Sequence, residues 1–202
     1  MALMVTSAGQ RTRATRDAIL DAALVVIARD GLRAARMEDV AAEAGVSRQS
    51  VYYHFRSREE VLDALIDRGL SELASTIRAG AEGRDVEEFV VEAVRFFAEN
   101  LTLCRLLVTE MWGVASDPQQ PRRIVDKAET EIVEPVAARI VEARGGDLDG
   151  ADAVLAARAL MGQVIGVTFG PIVRDEPLDA DEIAPQLRAY ARAVLEARGD
   201  LR

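Results

Sequence analysis

At 202 residues the chain is long enough to bury a sizeable core in one or two domains, and half of it is hydrophobic. Its net charge of −9 excludes a protein that coats nucleic acid indiscriminately. The charge is uneven: residues 1–60 hold nine arginines against eight acids, so the remaining 142 residues carry −10. A near-neutral first stretch ahead of an acidic remainder means that any contact with phosphates is favoured in the first 60 residues and disfavoured in the rest. Cys104 is the single cysteine, which excludes an intramolecular disulfide and fits a reducing cytoplasm. Val-rich alternating runs are missing, and alanine, leucine, arginine and glutamate dominate, which predicts an all-α fold. No stretch reaches the uninterrupted apolar length of a membrane span, so no membrane partner is expected. The first ten residues, MALMVTSAGQ, lack a basic n-region and a long apolar core and read as a disordered leader, not a signal peptide.

The first predicted helix runs from Thr12 or Thr15 to Arg29, with Ile19, Ala22, Ala23, Val26 and Ile27 on one face and Asp30-Gly31 as its stop. Arg11, Arg13 and Arg16 lie at its front. They are either a basic arm for phosphate or the minor groove, or solvated charge at a frayed end. Met37–Arg58, MEDVAAEAGVSRQSVYYHFRSR, then reads as two short helices joined at Gly45. Glycine takes a left-handed backbone at a helix end without a side-chain penalty. Ser47 is placed to cap the second helix. Val40, Ala41, Ala44, Val46 and Val51 fit a packed pair, with Ala41 small enough for two tightly crossed helices. Outside, the second helix offers Arg48, Gln49, Ser50, Tyr52, Tyr53 and His54, with no acid from Ser47 through Arg58. Hydrogen-bonding and cationic side chains on a helix that fits the major groove describe a recognition helix. An ordinary helical hairpin with a polar outside shares the pattern of small residues.

The run VYYHFRSREEVL resembles the signature of the TetR family of bacterial repressors, in which a short recognition helix ends in Tyr-x-His-Phe. AILDAALVVIARDGLRAARMEDVAAEAGVS is similar to that family's first helix and helix-turn-helix. The match is dense from Arg13 to Leu65. The resemblance implies a homodimeric repressor that binds a double-stranded, near-palindromic DNA operator, and a helical body that dimerises and binds a small-molecule effector. It places Arg36, Ser47, Arg48, Gln49, Ser50, Tyr52, Tyr53, His54 and Arg58 at the DNA, with His54 and Arg58 towards phosphate. For His54 the alternative is a half-buried capping side chain. The chain departs from the family at Ala35-Arg36, where relatives carry a capping Ser or Thr. Arg36 cannot accept an amide hydrogen; either it reaches phosphate itself, or Glu38 and Asp39 compensate through the helix dipole. The implied division is a DNA-binding head, 11–58, and an effector-binding and dimerisation body, 59–202.

Ser57 and Glu60 predict a capping box on a long fourth helix, with Val61, Leu62, Leu65, Ile66, Leu70 and Leu73 on its apolar face to Ala79. The body reads as five more helices: Asp85–Asn100; Leu101–Val114; one after the Asp117–Pro121 loop to Arg144, bent near Pro135; Gly150–Arg174; and Asp181–Arg198. Phe89, Phe96, Phe97, Met111 and Trp112 are candidates for a mostly apolar effector cavity, with Gln163, Thr168, Thr109 or Glu110 as polar orienters. Ordinary core is the alternative for each. Gly162, Gly166 and Gly170 recur every fourth residue, and three glycines in one helix want a compensating close contact. That contact is either a subunit interface, with Leu187, Tyr190, Ala191 and Val194 as the partner surface, or close packing within one subunit or against ligand space.

A lone histidine, a cysteine in an apolar stretch and scattered carboxylates offer no catalytic constellation, metal spacing or phosphate loop. The expectation is therefore no enzyme, no metal and no cofactor, the rival being an all-α small-molecule-binding protein or enzyme without DNA work.

Overall fold

Alanine, leucine and methionine near the start favour helix, and no proline precedes Gly31 to break it. In the computed structural model helix α1 accordingly runs Ala2–Asp30. The expected disordered leader is thus corrected: its backbone is helical from Ala2. From Gly9 to Ala18 that helix is exposed except at Thr15, whose hydroxyl donates to the Arg11 carbonyl at 2.9 Å. The structure describes residues 2–81, 85–116, 123–146, 148–174 and 176–196, with side chains from residue 9 and not at 80–81 or 111–116. The Asp117–Pro121 loop and the end of the last predicted helix lie outside the described residues.

Gly31, at φ 86°, stops α1 and donates to the Ile27 carbonyl at 2.9 Å. Helices α2 (Met37–Glu43), α3 (Arg48–His54) and α4 (Arg58–Ala81) follow. The chain divides into two compact units at Asp67/Arg68, inside α4. The first is centred on Ile19, Leu20, Ala23 and Val26 of α1, Val40 and Ala41 of α2, Val51 and Phe55 around α3, and Leu65 of α4, all buried. Full burial of each such Leu, Ile or Val contributes about 1.5–3 kcal/mol, enough to hold short helices that would melt alone. The expected capping box forms with a shift of one residue. Glu60 donates its amide to the Ser57 hydroxyl at 3.3 Å, while its carboxylate accepts from the Arg56 amide at 2.6 Å.

The second unit holds α5 (Glu88–Glu99), α6 (Leu101–Ser116), α7 (Arg123–Ala128), α8 (Glu134–Ala143), α9 (Gly150–Arg174) and α10 (Ala180–Glu196). Among the described residues all regular elements are helices. Helix α5 is buried almost all round and packs on α9 and α10, while α8 packs on α9. The bend expected near Pro135 is a π turn, Glu129–Val133, between α7 and α8. Proline lacks the amide for the carbonyl one turn back and its ring crowds that carbonyl, so a widened turn ahead of it relieves both.

Arg105 donates to the Ile172 carbonyl from Nε and Nη2, at 3.3 and 2.8 Å, closing the C-terminal end of α9. The close glycine contact lies at Gly69, not in the glycine row: a β-carbon there would stand 2.7 Å from Leu103 Cδ1. Helix α9 contains an 18-residue window of mean hydropathy 1.5, long and apolar enough by composition to cross a membrane, and only 28% of it is buried. Its apolar residues are distributed around the helix, so part of them faces outward.

Candidate nucleic-acid interface

Gly45 reverses the chain at φ 64°, and Val46 donates to the Ala41 carbonyl at 3.0 Å, closing the turn between α2 and α3. Ser47 caps α3 by accepting from the Ser50 amide at 3.1 Å. Val51 and Phe55, at 0% and 1% exposure, pin the inner side of α3. With that side fixed, helical geometry turns Arg48, Gln49, Tyr52 and Tyr53 outward, with Ser50 and His54 half-buried beside them.

The outward face is partly organised. Arg48 pairs with Glu38 at 2.9 Å and lies over the Tyr52 ring, 5.4 Å from its centre. Tyr53 is 79% exposed, and its ring meets that of His54 edge-on at 5.2 Å. Arg36 is exposed at the N-cap of α2, in an extended conformation and without a side-chain cap. Glu38 and Asp39 occupy the first turn of that helix, where the dipole favours acids.

Two arginines differ from expectation. Arg58 does not face outward: its Nε donates to the Ala35 carbonyl at 3.1 Å, and its Nη2 donates to the Leu32 carbonyl. A planar guanidinium can serve two carbonyls at once, and here it fastens the start of α4 to the segment between α1 and α2. Arg16 lies with its guanidinium 4.9 Å from the centre of the Phe55 ring, a cation–π contact that holds it beside the end of α3. The helical phase of Arg16, three residues ahead of buried Ile19, was the available signal for that placement.

In the second unit a cavity of about 90 Å³ is lined by Ala74, Ile77 and Arg78 of α4, by Val86 ahead of α5 and Phe89 within it, by Glu131 and Ile132 of the π turn, and by Pro135, Val136 and Arg139 of α8. Of the residues expected at an effector cavity, Phe89 lies on this one. Phe96 and Phe97 are buried core and meet edge-on at 6.4 Å. Gln163 donates to the Leu187 carbonyl at 3.1 Å, joining α9 to α10. Thr168 is buried and donates to the Val164 carbonyl at 2.8 Å. The side chains of Met111 and Trp112 lie outside the described residues.

The glycine row faces open space. A β-carbon at Gly162 or Gly166 would meet nothing within 4 Å, and at Gly170 it would meet only the Arg174 side chain, at 3.0 Å. Around the row, Leu155, Phe169 and Val173 are 67%, 41% and 63% exposed, as is Tyr190 of α10 at 62%. Val194 is half-buried. Leu187, at 1% exposure, and Ala191, at 0%, are core residues of their own subunit, which corrects their placement on a partner surface. Burial holds the Cys104 thiol protonated, pushing its pKa from 9.0 up to about 12.

The sequence matches a family model described as bacterial regulatory proteins, tetR family, over residues 19–65. It is 27% identical over 118 residues to the HTH-type transcriptional repressor SCO4008 of Streptomyces coelicolor, an overlap of 57% of this chain and 60% of that protein. The HTH-type transcriptional regulator UidR of Escherichia coli is 25% identical over 91% of this chain and 94% of its own length. Among solved structures, GusR of Salmonella enterica superposes with a TM-score of 0.69 at 24% identity, covering 91% of this chain and 96% of that one.

Proposed function

We propose that this chain, a member of the tetR family of bacterial regulatory proteins, is a ligand-responsive transcriptional repressor that acts as a homodimer on a near-palindromic DNA operator. The observation that carries the reading is the outward face of α3. Arg48, Gln49, Tyr52 and Tyr53 project from a seven-residue helix whose inner side is locked by Val51 and Phe55, with no acid from Ser47 through Arg58. Each head, residues 11–58, enters one major groove, and two heads read half-sites about 34–36 Å apart, one helical turn of DNA. Gln49, Arg48, Ser50 and Tyr52 address base edges. Arg36, His54 and Tyr53 address the backbone.

The body, residues 59–202, supplies the dimer and the switch. Gly162, Gly166 and the exposed apolar residues around them form the subunit seam, with Tyr190 and Val194 of α10 beside it. A mostly apolar effector enters the cavity walled by Phe89. That cavity borders α4, which begins in the first compact unit and ends in the second, so an effector bound there acts on a helix common to both. The effector must bind the operator-competent and the released conformations with different affinity, because tight binding alone shifts nothing. Such a protein works in the cytoplasm, where the DNA is.

The test is retardation of DNA taken from just upstream of the protein's own gene, followed by a reporter strain lacking the protein. Specific retardation and a raised reporter signal in the deletion strain support repression. A lowered reporter signal makes the protein an activator. Absence of DNA binding reduces it to an all-α small-molecule-binding protein.

A further inference from the structure

We propose that Glu38, on α2, is a specificity-determining residue of the head: it acts through Arg48, keeping that guanidinium off phosphate and leaving it for base edges. The inference rests on the DNA-binding reading above and adds a residue from outside the recognition helix. Arg48 is the only arginine of α3, and its side chain is held from two places. It pairs with the Glu38 carboxylate at 2.9 Å, and its guanidinium carbon lies 5.4 Å from the centre of the Tyr52 ring. The acid comes from the neighbouring helix, ten residues earlier. The ring comes from one turn further along α3.

An unpaired arginine on a helix that enters the groove is drawn to any phosphate, and that attraction carries no sequence information. Each phosphate it neutralises releases about one counterion, so all DNA is bound more tightly alike. With Glu38 beside it the pair has no net charge, and a phosphate gains little from it. A guanidinium carries five N–H donors, and one carboxylate leaves several of them unused. A base edge with two acceptors side by side, as on guanine, takes two of those donors in one plane. The carboxylate thus weakens the contact that is blind to sequence and spares the one that reads it.

Two plainer roles for Glu38 leave this pairing unexplained. It stands in the first turn of α2, where the helix dipole favours an acid, but Asp39 shares that turn and the role needs no partner on α3. As a stabilising contact the pair contributes little, because its side chains are 63% and 49% exposed. What such a pair changes is the charge that the surface presents. Glu43, at the far end of α2, pairs with Arg29 of α1 at 3.3 Å, so the acid of α2 that meets the face of α3 is Glu38.

The experiment measures the affinity of the full-length protein, over a range of salt, for two duplexes of equal length. One is the sequence it selects from a randomised library and the other is a scrambled version. Glu38→Gln keeps the shape of the side chain and removes its charge. It should tighten binding to the scrambled duplex about three-fold and steepen its salt dependence by about one counterion. Binding to the selected duplex should change less, so the ratio of the two affinities falls. In an Arg48→Ala background the same substitution should leave the ratio unchanged, because the residue it acts through is gone. An unchanged ratio in Glu38→Gln alone, or an equal fall with and without Arg48, overturns the proposal. Denaturant unfolding of each variant checks the head, and lower stability with an intact ratio reduces Glu38 to a partner of the helix dipole. Unmodified protein that selects no sequence defeats the DNA-binding reading and this role with it. A selected sequence whose preference Glu38→Gln leaves untouched keeps that reading and defeats the role alone.

Discussion

Arg58 donates from Nε to the carbonyl of Ala35 at 3.1 Å, joining residues 23 apart in the chain. With Nη2 on Leu32, the side chain works as a clamp inside the head. Arg58→Ala should therefore destabilise the head by about 1–2 kcal/mol, since two carbonyls are deprived of a charged donor. Denaturant unfolding of the purified protein measures this. The slope of operator affinity against salt should stay unchanged, because only a side chain bound to phosphate flattens it, by about one counterion, when it is removed. Arg58→Lys should not rescue stability, as an ammonium cannot serve both acceptors in the guanidinium geometry.

Base readout is expected from the middle of the α3 face. Gln49→Ala and Arg48→Ala should change preference at definite operator positions by about 1–3 kcal/mol each. Selection of bound sequences from a randomised operator library reads the outcome. A uniform drop across all sequences would make both residues positioning groups. Glu38→Gln should separate the two roles of Arg48: it releases the 2.9 Å ion pair while leaving the Tyr52 stacking in place.

The two-helix turn was legible because its signals are local. Gly45 carries the left-handed residue, Ser47 caps, and Val51 must turn inward, so the polar residues between them have one way to point. Helix α9 was bounded correctly at Gly150 and Arg174 for a similar reason, since Gly145-Gly146 stop α8 and the Asp175–Asp179 stretch with Pro177 follows α9. Helix α10 was harder. It carries two apolar lines, Ala184–Leu187–Ala191 and Ala189–Tyr190–Ala193, and periodicity alone cannot say which is inside. Packing on α5 and α9 decides it in favour of Leu187. Arg58 was misread for a related reason: the carbonyls it serves belong to a segment 23 and 26 residues upstream, which no local pattern announces. The helix before Thr12 has no apolar period to reveal it and rests on intrinsic propensity.

Assembly is tested at the glycine row. Nothing lies within 4 Å of a β-carbon at Gly166, so a larger residue there costs the isolated subunit nothing in packing. At a close symmetric contact the same residue is met twice and overpacks by about 1–3 kcal/mol each time. Gly166→Leu should then shift sedimentation towards monomer, leave subunit unfolding unchanged or slightly improved, and lower operator affinity steeply. A mutant that stays dimeric with normal affinity would move the interface elsewhere. Gly69→Ala is the internal control: its β-carbon would stand 2.7 Å from Leu103 Cδ1, so it perturbs packing within one subunit and should leave the oligomer unchanged.

Cys104 provides a reporter of the folded body. Its thiol is raised by burial from 9.0 to about 12, so at pH 8 almost none of it is thiolate. Iodoacetamide should label the native protein far more slowly than the denatured one at that pH. The sign of the linkage follows. The unfolded chain releases this proton from about pH 9 while the folded chain keeps it, so the contribution to stability is complete below pH 9 and is lost as pH rises towards 12.

The π turn makes the wall of the cavity depend on residue count. A regular helix advances by about 100° per residue, so deleting Thr130 would turn α7 by that much relative to α8. Lys127 and Glu131 would then stand three residues apart instead of four, still neighbours on one helical face. Pro135 would then press on the carbonyl one turn before it, with no wider coil to absorb the ring. Every side chain composing the wall would still be present in the chain, yet the side chains on α7 would be re-aimed relative to those on α8. The shape of this cavity can thus be reset by a shift of phase along one rod, with every lining residue kept.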